Sequence, residues 1–328
     1  MSGGVFPFSI SSLRGGTRME VGMARTFQGN VRSRIVLLFL GIVILCAALP
    51  GCGLNRTGPD EAEKAAMREL QGAAVGAAMI LDLYMDARVT DMLVGSSTCR
   101  SLREALTSPE ARPDANRALE DWLKISGAYE AILLLDKAGI CLASAPAGLV
   151  NHDFSDDNAF KGAVKGKLTV SDAHKSDLLI SLDPKSNGWT AAIAVPIKAE
   201  KDIQGVLLSY LKWSRLQSLT MGVRVGEHGY VFVLDRDNHV IVHPDPHLYG
   251  VGLRDSPINL TALDDAVKRK AVHMSYSYKH PITGRETRLV GLAYSGGYRN
   301  FPGLGWTVGA GANESEILVV PLWMRFFR

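Results

Sequence analysis

Two apolar stretches, AILLLD at residues 131–136 and YVFVLD at residues 230–235, decide which fold we expect, and they begin 99 positions apart. Each is followed by a short turn and a second apolar run, which is typical of a β-hairpin. Gly139 and Asn238 occupy equivalent places in the two turns. Because glycine and asparagine best tolerate a positive φ, both segments are predicted to be hairpins with the same turn geometry.

The apolar runs further along the chain repeat at a similar spacing. Residues 189–197 match residues 287–295 at an offset of 98, and residues 205–211 match residues 305–311 at an offset of 100. A solenoid is excluded, since its repeats are only about 20–50 residues long. The matches predict a duplication, in which one antiparallel α+β module occurs twice in the chain.

Helices are predicted before and between these modules. Residues 58–98 are rich in Ala, Leu, Met, Glu and Arg, and their apolar side chains recur at helical spacing, so one long helix is expected to end at residues 95–97. A second, amphipathic helix is predicted over residues 115–126, with Ile125 facing inward. A short helix within residues 211–225 would connect the modules. The predicted fold class is α+β, a long N-terminal helix followed by two antiparallel-sheet modules.

Residues 35–54 contain no charged side chain, and a helix of about 20 residues crosses a bilayer. Residues 1–34 carry five arginines and one glutamate, a net charge of +4, whereas residues 35–328 sum to −1. The positive-inside rule therefore predicts a cytoplasmic basic tail over 1–34, a transmembrane signal-anchor over 35–54 and an extracytoplasmic body. A body without excess positive charge is not expected to bind nucleic acid.

The end of the apolar segment leaves an alternative open. Residues 49–52, Leu-Pro-Gly-Cys, resemble a bacterial lipoprotein cleavage box, which makes Cys52 a lipidation candidate. Simple secretion is the third option. In all three cases the body of the protein lies outside the cytoplasm.

The body of the chain contains few groups that indicate chemistry. An oxidising compartment would permit a bond between Cys99 and Cys141, but both also fit as small buried apolar residues. His239, His243 and His247 recur every four residues, yet prolines interrupt the strand after His243, so no metal site is predicted. Catalytic and nucleotide-binding fingerprints are missing from the sequence, which predicts neither an enzyme nor a cofactor.

Several motifs together resemble a known family. The clearest are GEHGYVFVLD at 226–235 and VIVHPD at 240–245; weaker ones lie at 157–172, 193–197 and 306–309. With the anchor and the long helix, they resemble the double-Cache, PAS-like sensor domains of bacterial chemoreceptors and sensor kinases. The resemblance covers about residues 58–320 and is more specific for the fold than for the ligand.

This resemblance implies an arrangement and a function. It implies a membrane-distal Cache module over residues 99–213, a membrane-proximal one over 214–312, and the start of an exit helix over 313–328. The expected protein is a sensor in the bacterial inner membrane with a periplasmic body, a small-molecule ligand in the distal module and pairing as a homodimer through the long helix. The output, chemotaxis or a kinase or cyclase, stays open. The alternative is an anchored solute-binding protein that has no output domain of its own.

The resemblance also suggests where the ligand binds. In the amino-acid-binding subgroup an arginine, a Trp-Tyr pair and a late-strand aspartate hold the ligand, whereas this sequence has Asp157 at the arginine position, Ala159 and Phe160 near the pair, and Tyr210 near the aspartate. An acid in place of a base points to a cationic or neutral ligand. The candidate ligand-binding residues are Asp157, Phe160, Asp172 and Tyr210. The other interpretation makes Asp157 a solvated N-cap of the helix that contains Phe160.

Overall fold

A computed structural model describes residues 59–280 and 284–318 of the chain. The predicted tail, the apolar segment and Cys52 lie outside these residues. The helices are α1 Pro59–Thr98, α2 Arg100–Ala105, α3 Arg112–Ser126, α4 Asn158–Ala163, α5 Asp177–Leu182, α6 Trp213–Met221, α7 Thr261–Lys268 and α8 Glu314–Ile317. The strands are β1 Tyr129–Leu135, β2 Cys141–Ala145, β3 Thr169–Val170, β4 His174–Lys175, β5 Trp189–Thr190, β6 Ala192–Ala199, β7 Asp202–Leu211, β8 Tyr230–Leu234, β9 Val240–Val242, β10 His273–His280, β11 Gly284–Tyr294 and β12 Thr307–Asn313.

The long helix α1 continues through the Gly-Ser-Ser sequence that was expected to end it. The hydroxyls of Ser96 and Thr98 donate to the carbonyls of Leu93 and Val94 in the preceding turn, at 2.9 Å and 2.8 Å, so these polar side chains are accommodated within the helix. Gly95 lies against the ring of Trp122, where a Cβ would overlap the indole. The glycine therefore serves close packing here, and α1 ends at Thr98, one residue beyond the Gly-Ser-Ser sequence and at the end of the predicted range of residues 58–98.

The two large sheets have the same strand order. Within the described residues, the first sheet runs β2-β1-β7-β6-β3 and the second runs β9-β8-β12-β11-β10, and all pairs are antiparallel. Strands β4 and β5 form a separate two-stranded sheet. Corresponding strands occupy corresponding places, as a duplication predicts.

The two hairpins agree in detail. Oδ1 of Asp136 accepts two backbone N–H groups of its turn at 2.8 and 2.9 Å, and Oδ1 of Asp235 accepts the equivalent pair at 2.9 and 2.8 Å. The φ angle is +93° at Gly139 and +65° at Asn238, which is why these residue types stand there. The predicted common turn geometry is confirmed.

One predicted match is displaced by a residue. Leu134 pairs with Leu207 in the first sheet, and its equivalent Val233 pairs with Val308 in the second. The offset of this strand is therefore 101, and the value of 100 was wrong. The difference matters because a slip of one residue turns every side chain to the other face of the sheet.

Three apolar layers hold the molecule together. Helix α1 packs against one face of both sheets, and its fully buried Leu70, Leu81 and Met85 belong to one continuous core with residues of each sheet. The opposite face of the first sheet is covered by α4 and α5, and that of the second by α7. Because both faces are covered, the central strands are apolar without alternation.

Several further features of the structure concern single residues and the helices. Ile125, expected to face inward, is 86% exposed, so that orientation is wrong, whereas Leu119 of the same helix is buried. Cys99 and Cys141 are both free thiols. The side chain of Asn313 does not cap α8, since it bonds side chains of the second sheet. No helix in the described part of the chain combines the length and apolarity needed to cross a membrane.

Candidate functional site

Asp157 joins helix α4 to the first sheet. Its Oδ1 accepts hydrogen bonds from the backbone N–H groups of Ala159 at 2.7 Å and Phe160 at 3.0 Å, which makes it the N-cap of α4. Its Oδ2 accepts a 2.8 Å hydrogen bond from the hydroxyl of Tyr210 on β7. The N-cap interpretation is confirmed, and the same carboxylate also fastens α4 to the sheet.

Phe160 and Tyr210 are buried beneath this contact. Each is 4% exposed, and both pack in the core between the sheet and α4, with Ala131 and Leu133 of β1. Burial raises the pKa of Tyr210, and the nearby Asp157 carboxylate raises it further, so the hydroxyl stays protonated and donates. The structure therefore brings three of the four candidate residues together.

The charge of Asp157 is not neutralised locally. No lysine, arginine or histidine nitrogen of the described residues lies within 4 Å of its carboxylate, although the group is only half-exposed. Three hydrogen bonds stabilise the negative charge, but none of the donors is a cation. The arrangement is a carboxylate at the start of a short helix, directly above two buried aromatic rings.

Asp172, the fourth candidate, is turned toward the second module. Its Oδ1 accepts a 2.6 Å hydrogen bond from Nε1 of Trp306, and its Oδ2 lies 3.0 Å from Nε of Arg236. Trp306 is completely buried and meets Trp213 edge-on at 6.1 Å. Nε1 of Trp213 donates to the carbonyl of Ile241 at 2.9 Å. Asp172 thus belongs to the junction between the modules, and its predicted contact with a ligand stays a prediction.

A short series of contacts connects the two locations. Tyr210 lies opposite Ala192 on the neighbouring strand β6. The backbone N–H of Ala192 donates to Oγ of Ser171 at 2.8 Å, and Ser171 directly precedes Asp172. The Asp157–Tyr210 contact under α4 and the Asp172–Trp306 contact are therefore connected through the β6–β7 strand pair and the hydroxyl of Ser171.

The described residues contain one group that could hold a metal ion. Ligand atoms of Asp235, Asp237 and His239 all lie within 4.8 Å of one another at the hairpin of the second module. Oδ2 of Asp235 lies 3.1 Å from Nδ1 of His239, while its Oδ1 is used by the turn. These contacts account for the arrangement without an ion, and the expectation of no metal site stays a prediction.

The junction is the part of the site that sequence reasoning missed. Trp306 was included only within the weaker motif at residues 306–309, and no role was assigned to Arg236. Asp172 and Trp306 are 134 positions apart, so no local pattern signals their contact.

A long helix packed against two sheets of identical strand order, one of them with a carboxylate-fastened helix over its face, defines a two-module α+β sensor domain. The chain belongs to the double-Cache family, whose model, described as a Cache domain, matches residues 60–319. No curated protein matches the chain by sequence.

Solved structures share this fold. The ligand-binding domain of the Pseudomonas aeruginosa PAO1 amino acid chemoreceptor PctB in complex with L-Arg is similar with a TM-score of 0.54 at 15% identity, over 80% of this chain and 99% of that one. The sensor domain of the Vibrio cholerae histidine kinase DctB is similar with a TM-score of 0.59 at 16% identity, over 76% of this chain and 98% of that one. The ligand-binding domain of the Campylobacter jejuni chemoreceptor Tlp3 in complex with 4-methylisoleucine is similar with a TM-score of 0.57 at 14% identity, over 82% of this chain and 99% of that one. Family and fold together support a sensory ligand-binding domain.

Proposed function

We propose that this chain is the extracytoplasmic small-molecule-sensing region of a membrane-bound signal-transduction receptor, of the chemotaxis or the kinase or cyclase type, with its ligand in the first module. The observation that carries the proposal is the hydrogen bond between Tyr210 and Asp157, which fastens α4 to the sheet of a sensor-type fold. A ligand that binds the Asp157 carboxylate competes with Tyr210. Ligand binding is then coupled to the equilibrium between α4 fastened to the sheet and α4 released from it.

The proposed ligand is cationic, or neutral with a hydrogen-bond donor. An ammonium group at Asp157 would supply the cation that the described side chains do not provide there. Phe160 and Tyr210 are only 4% exposed, so their rings would contact the body of such a ligand once α4 moves away from the sheet. An anion would instead meet a like charge, which is unfavourable in a half-buried place.

The variant Asp157→Asn tests the ligand class without removing the helix cap, because asparagine is about as good an N-cap as aspartate. Calorimetry on the full chain would compare small amines, neutral amides and carboxylic acids. We expect an amine to bind the wild type and to bind Asp157→Asn about tenfold more weakly, since a charged hydrogen bond is lost. Asp156→Asn is the matched control, because Asp156 is fully exposed and its carboxylate lies 3.1 Å from Nζ of Lys161 on the surface.

Unchanged amine affinity in Asp157→Asn would remove Asp157 from the site. Absence of binding by every amine and neutral amide tested would overturn the proposed ligand class. Loss of binding in both Asp157→Asn and the Asp156→Asn control would assign the effect to the surface charge of this loop.

The proposed signal passes from α4 to the second module. Release of Tyr210 would alter the β6–β7 pair, and Ser171 carries that change to Asp172 and its bond with Trp306. Helix α1 packs on both sheets, so a change in their relation shifts it. Helix displacements of about 1–2 Å are sufficient for switching in other proteins.

We also propose that two copies pair along α1. Its outer surface carries a row of exposed apolar side chains at helical spacing, Val75, Met79, Ile80 and Leu83. The double substitution Met79→Glu with Leu83→Glu is expected to convert a dimer into a monomer in sedimentation experiments, because two charges would be buried in the interface. Ile125→Glu, at a more exposed apolar position outside α1, should leave the mass unchanged. A wild type that sediments as a monomer would contradict the pairing.

Membrane attachment is proposed from the uncharged residues 35–54 and the arginines before them. A reporter that is active only outside the cytoplasm, fused after residue 57, should be active, and deletion of residues 35–54 should abolish that activity. Palmitate labelling at Cys52 would instead favour the lipid-anchored solute-binding protein. A reporter that is inactive in the intact fusion would contradict both versions.

A further inference from the structure

The duplication places Gly311 of the second module where the first has Tyr210. Tyr210 pairs with Ala131 on one side and Ala192 on the other. Gly311 pairs with Tyr230 and Val290, which are the equivalents of these two alanines. The face that carries the proposed site in the first module is therefore also present in the second, but without a side chain from its central strand.

Arg288 occupies the space next to Gly311. A Cβ on Gly311 would lie 3.5 Å from Cδ of Arg288, so the arginine stem covers the glycine. The guanidinium lies 4.8 Å from the ring centre of Tyr230 and 5.4 Å from that of Tyr278. Tyr276 stands opposite Arg288 on β10, on the same face of the sheet. A half-buried cation is thus surrounded by three aromatic rings.

Within the described residues, no carboxylate contacts the guanidinium of Arg288 directly. Nε and Nη2 both donate to Oδ1 of Asn313, at 3.2 and 3.1 Å, and no carboxylate oxygen of the described residues lies within 4 Å of the guanidinium. Glu286 binds the same neighbours, accepting from Tyr278 at 2.7 Å and from Asn313 at 2.9 Å. Glu286 therefore reduces the local positive charge, but its carboxylate oxygens do not lie within 4 Å of the guanidinium of Arg288. An arginine has five donors in a fork that matches a carboxylate.

The remaining neighbours are compatible with an anion. His243 meets the ring of Tyr230 edge-on at 4.9 Å, and burial lowers the pKa of this histidine, so it is neutral at pH 7 and adds no charge. A surface groove of about 580 Å³ adjoins Tyr230; it is bordered by Val223, Val231 and Pro244 and also contains the charged side chains Arg224 and Glu227. This volume accommodates a small organic molecule.

We propose that the second module has its own ligand site, for a small organic carboxylate. The carboxylate binds the guanidinium of Arg288, and its apolar body lies against Tyr230 and extends toward the adjoining groove. The site is separate from the one proposed at Asp157 and takes the opposite charge. The two modules would therefore respond to chemically different molecules on equivalent faces of a duplicated fold.

The test uses the full chain with acetate, propionate and benzoate as probes, and with the primary amide of each as its neutral counterpart. Calorimetry should show binding of at least one acid and not of its amide. Arg288→Gln should weaken that binding by about tenfold or more, and Arg288→Lys should restore part of it, because the charge returns without the fork. Arg269→Gln, an exposed arginine of the same module, is the matched control. Asp157→Asn should leave acid binding unchanged.

A second measurement requires no variant. Phenylglyoxal modifies accessible arginines, and peptide mass spectrometry gives the rate at each one. The acid that binds should slow modification of Arg288 and leave Arg269 unaffected, whereas its amide should slow neither. The proposal is overturned if no probe acid binds, if acid and amide bind equally, if Arg288→Gln binds like the wild type, or if Arg288 is not protected.

Discussion

Nε1 of Trp306 donates a 2.6 Å hydrogen bond to Oδ1 of Asp172, and the two residues lie 134 positions apart in different modules. The indole is completely buried, so its N–H has no access to water as an alternative partner. The second oxygen of Asp172 binds Arg236, which also belongs to the second module. One carboxylate therefore holds the two modules in register.

Asp172→Ala should lower the free energy of unfolding by about 2 kcal/mol, because it leaves the buried indole N–H of Trp306 unsatisfied and removes an ion pair. Urea unfolding followed by tryptophan fluorescence measures this change. Asp156→Ala serves as the control, since that carboxylate is fully exposed. Equal stability of the two variants would show that Asp172 does not hold the junction.

Asp264 predicts an acid-dependent loss of stability. The residue is 3% exposed and accepts hydrogen bonds from Asn238 at 2.6 Å, from Lys268 at 2.7 Å and from Arg254. Burial alone raises the pKa of this carboxyl, but its three partners outweigh burial and lower the pKa to about 2. The charged form is thus favoured in the folded state.

The sign of the pH effect follows from that shift. A folded pKa of about 2 lies below the unfolded value, so the stabilisation is complete above about pH 4 and is lost between about pH 4 and pH 2, amounting to about 2 kcal/mol. Urea unfolding of the wild type at a series of pH values should show this loss. Asp264→Asn should be less stable at pH 6 and should lack that part of the acid dependence. An identical pH profile in both proteins would contradict the assignment.

Gly291 and Gly72 should respond in opposite ways to the same substitution. A Cβ at Gly291 would overlap the backbone of Leu70 and Gln71, so Gly291→Ala forces α1 away from the second sheet and should cost about 1–3 kcal/mol. Gly72 has nothing within 4 Å of its Cβ direction, and an alanine in a helix should stabilise by about 0.5–1 kcal/mol. Thermal unfolding of both variants measures the difference. A stable Gly291→Ala protein would show that the helix does not depend on this contact.

The two thiols of the body should differ in reactivity. Burial raises the pKa of Cys141 to about 12, so only about one molecule in 10⁴ carries its thiolate at pH 8. Cys99 is half-buried and free. In a chain with Cys46→Ser and Cys52→Ser, a thiol reagent should modify Cys99 well before Cys141, and both should react once urea unfolds the protein. Recovery of a disulfide between them from the folded protein would contradict this order.

The duplication was readable from the chain because strand patterns are local. A buried strand needs a run of apolar residues, and a tight turn needs glycine or asparagine, so the hairpins at Asp136 and Asp235 were predicted correctly. The offset of the strand that contains Leu207 was misplaced by one residue. A strand that is buried on both faces shows no alternation of apolar and polar residues. Its register therefore cannot be read from the sequence and is set by pairing with the neighbouring strand.

The candidate site was predictable in part for the same reason. Asp157 before a short helix is a local N-cap signal, and its predicted neighbours Phe160 and Tyr210 do meet it. Asp172 shows the opposite case, since its partner Trp306 comes from the other module. Gly95 shows a third, because a helix-ending residue type was retained inside the helix to admit the ring of Trp122.

The sequence by itself determined the two modules, the long helix before them and the carboxylate that caps α4, because each depends on residues close together in the chain. Only the tertiary structure decided which charges have partners. Asp172 is matched by donors 64 and 134 positions away, whereas no carboxylate oxygen of the described residues lies within 4 Å of the guanidinium of Arg288. Charge pairing depends on distances in space, and those are set when the two sheets pack against α1.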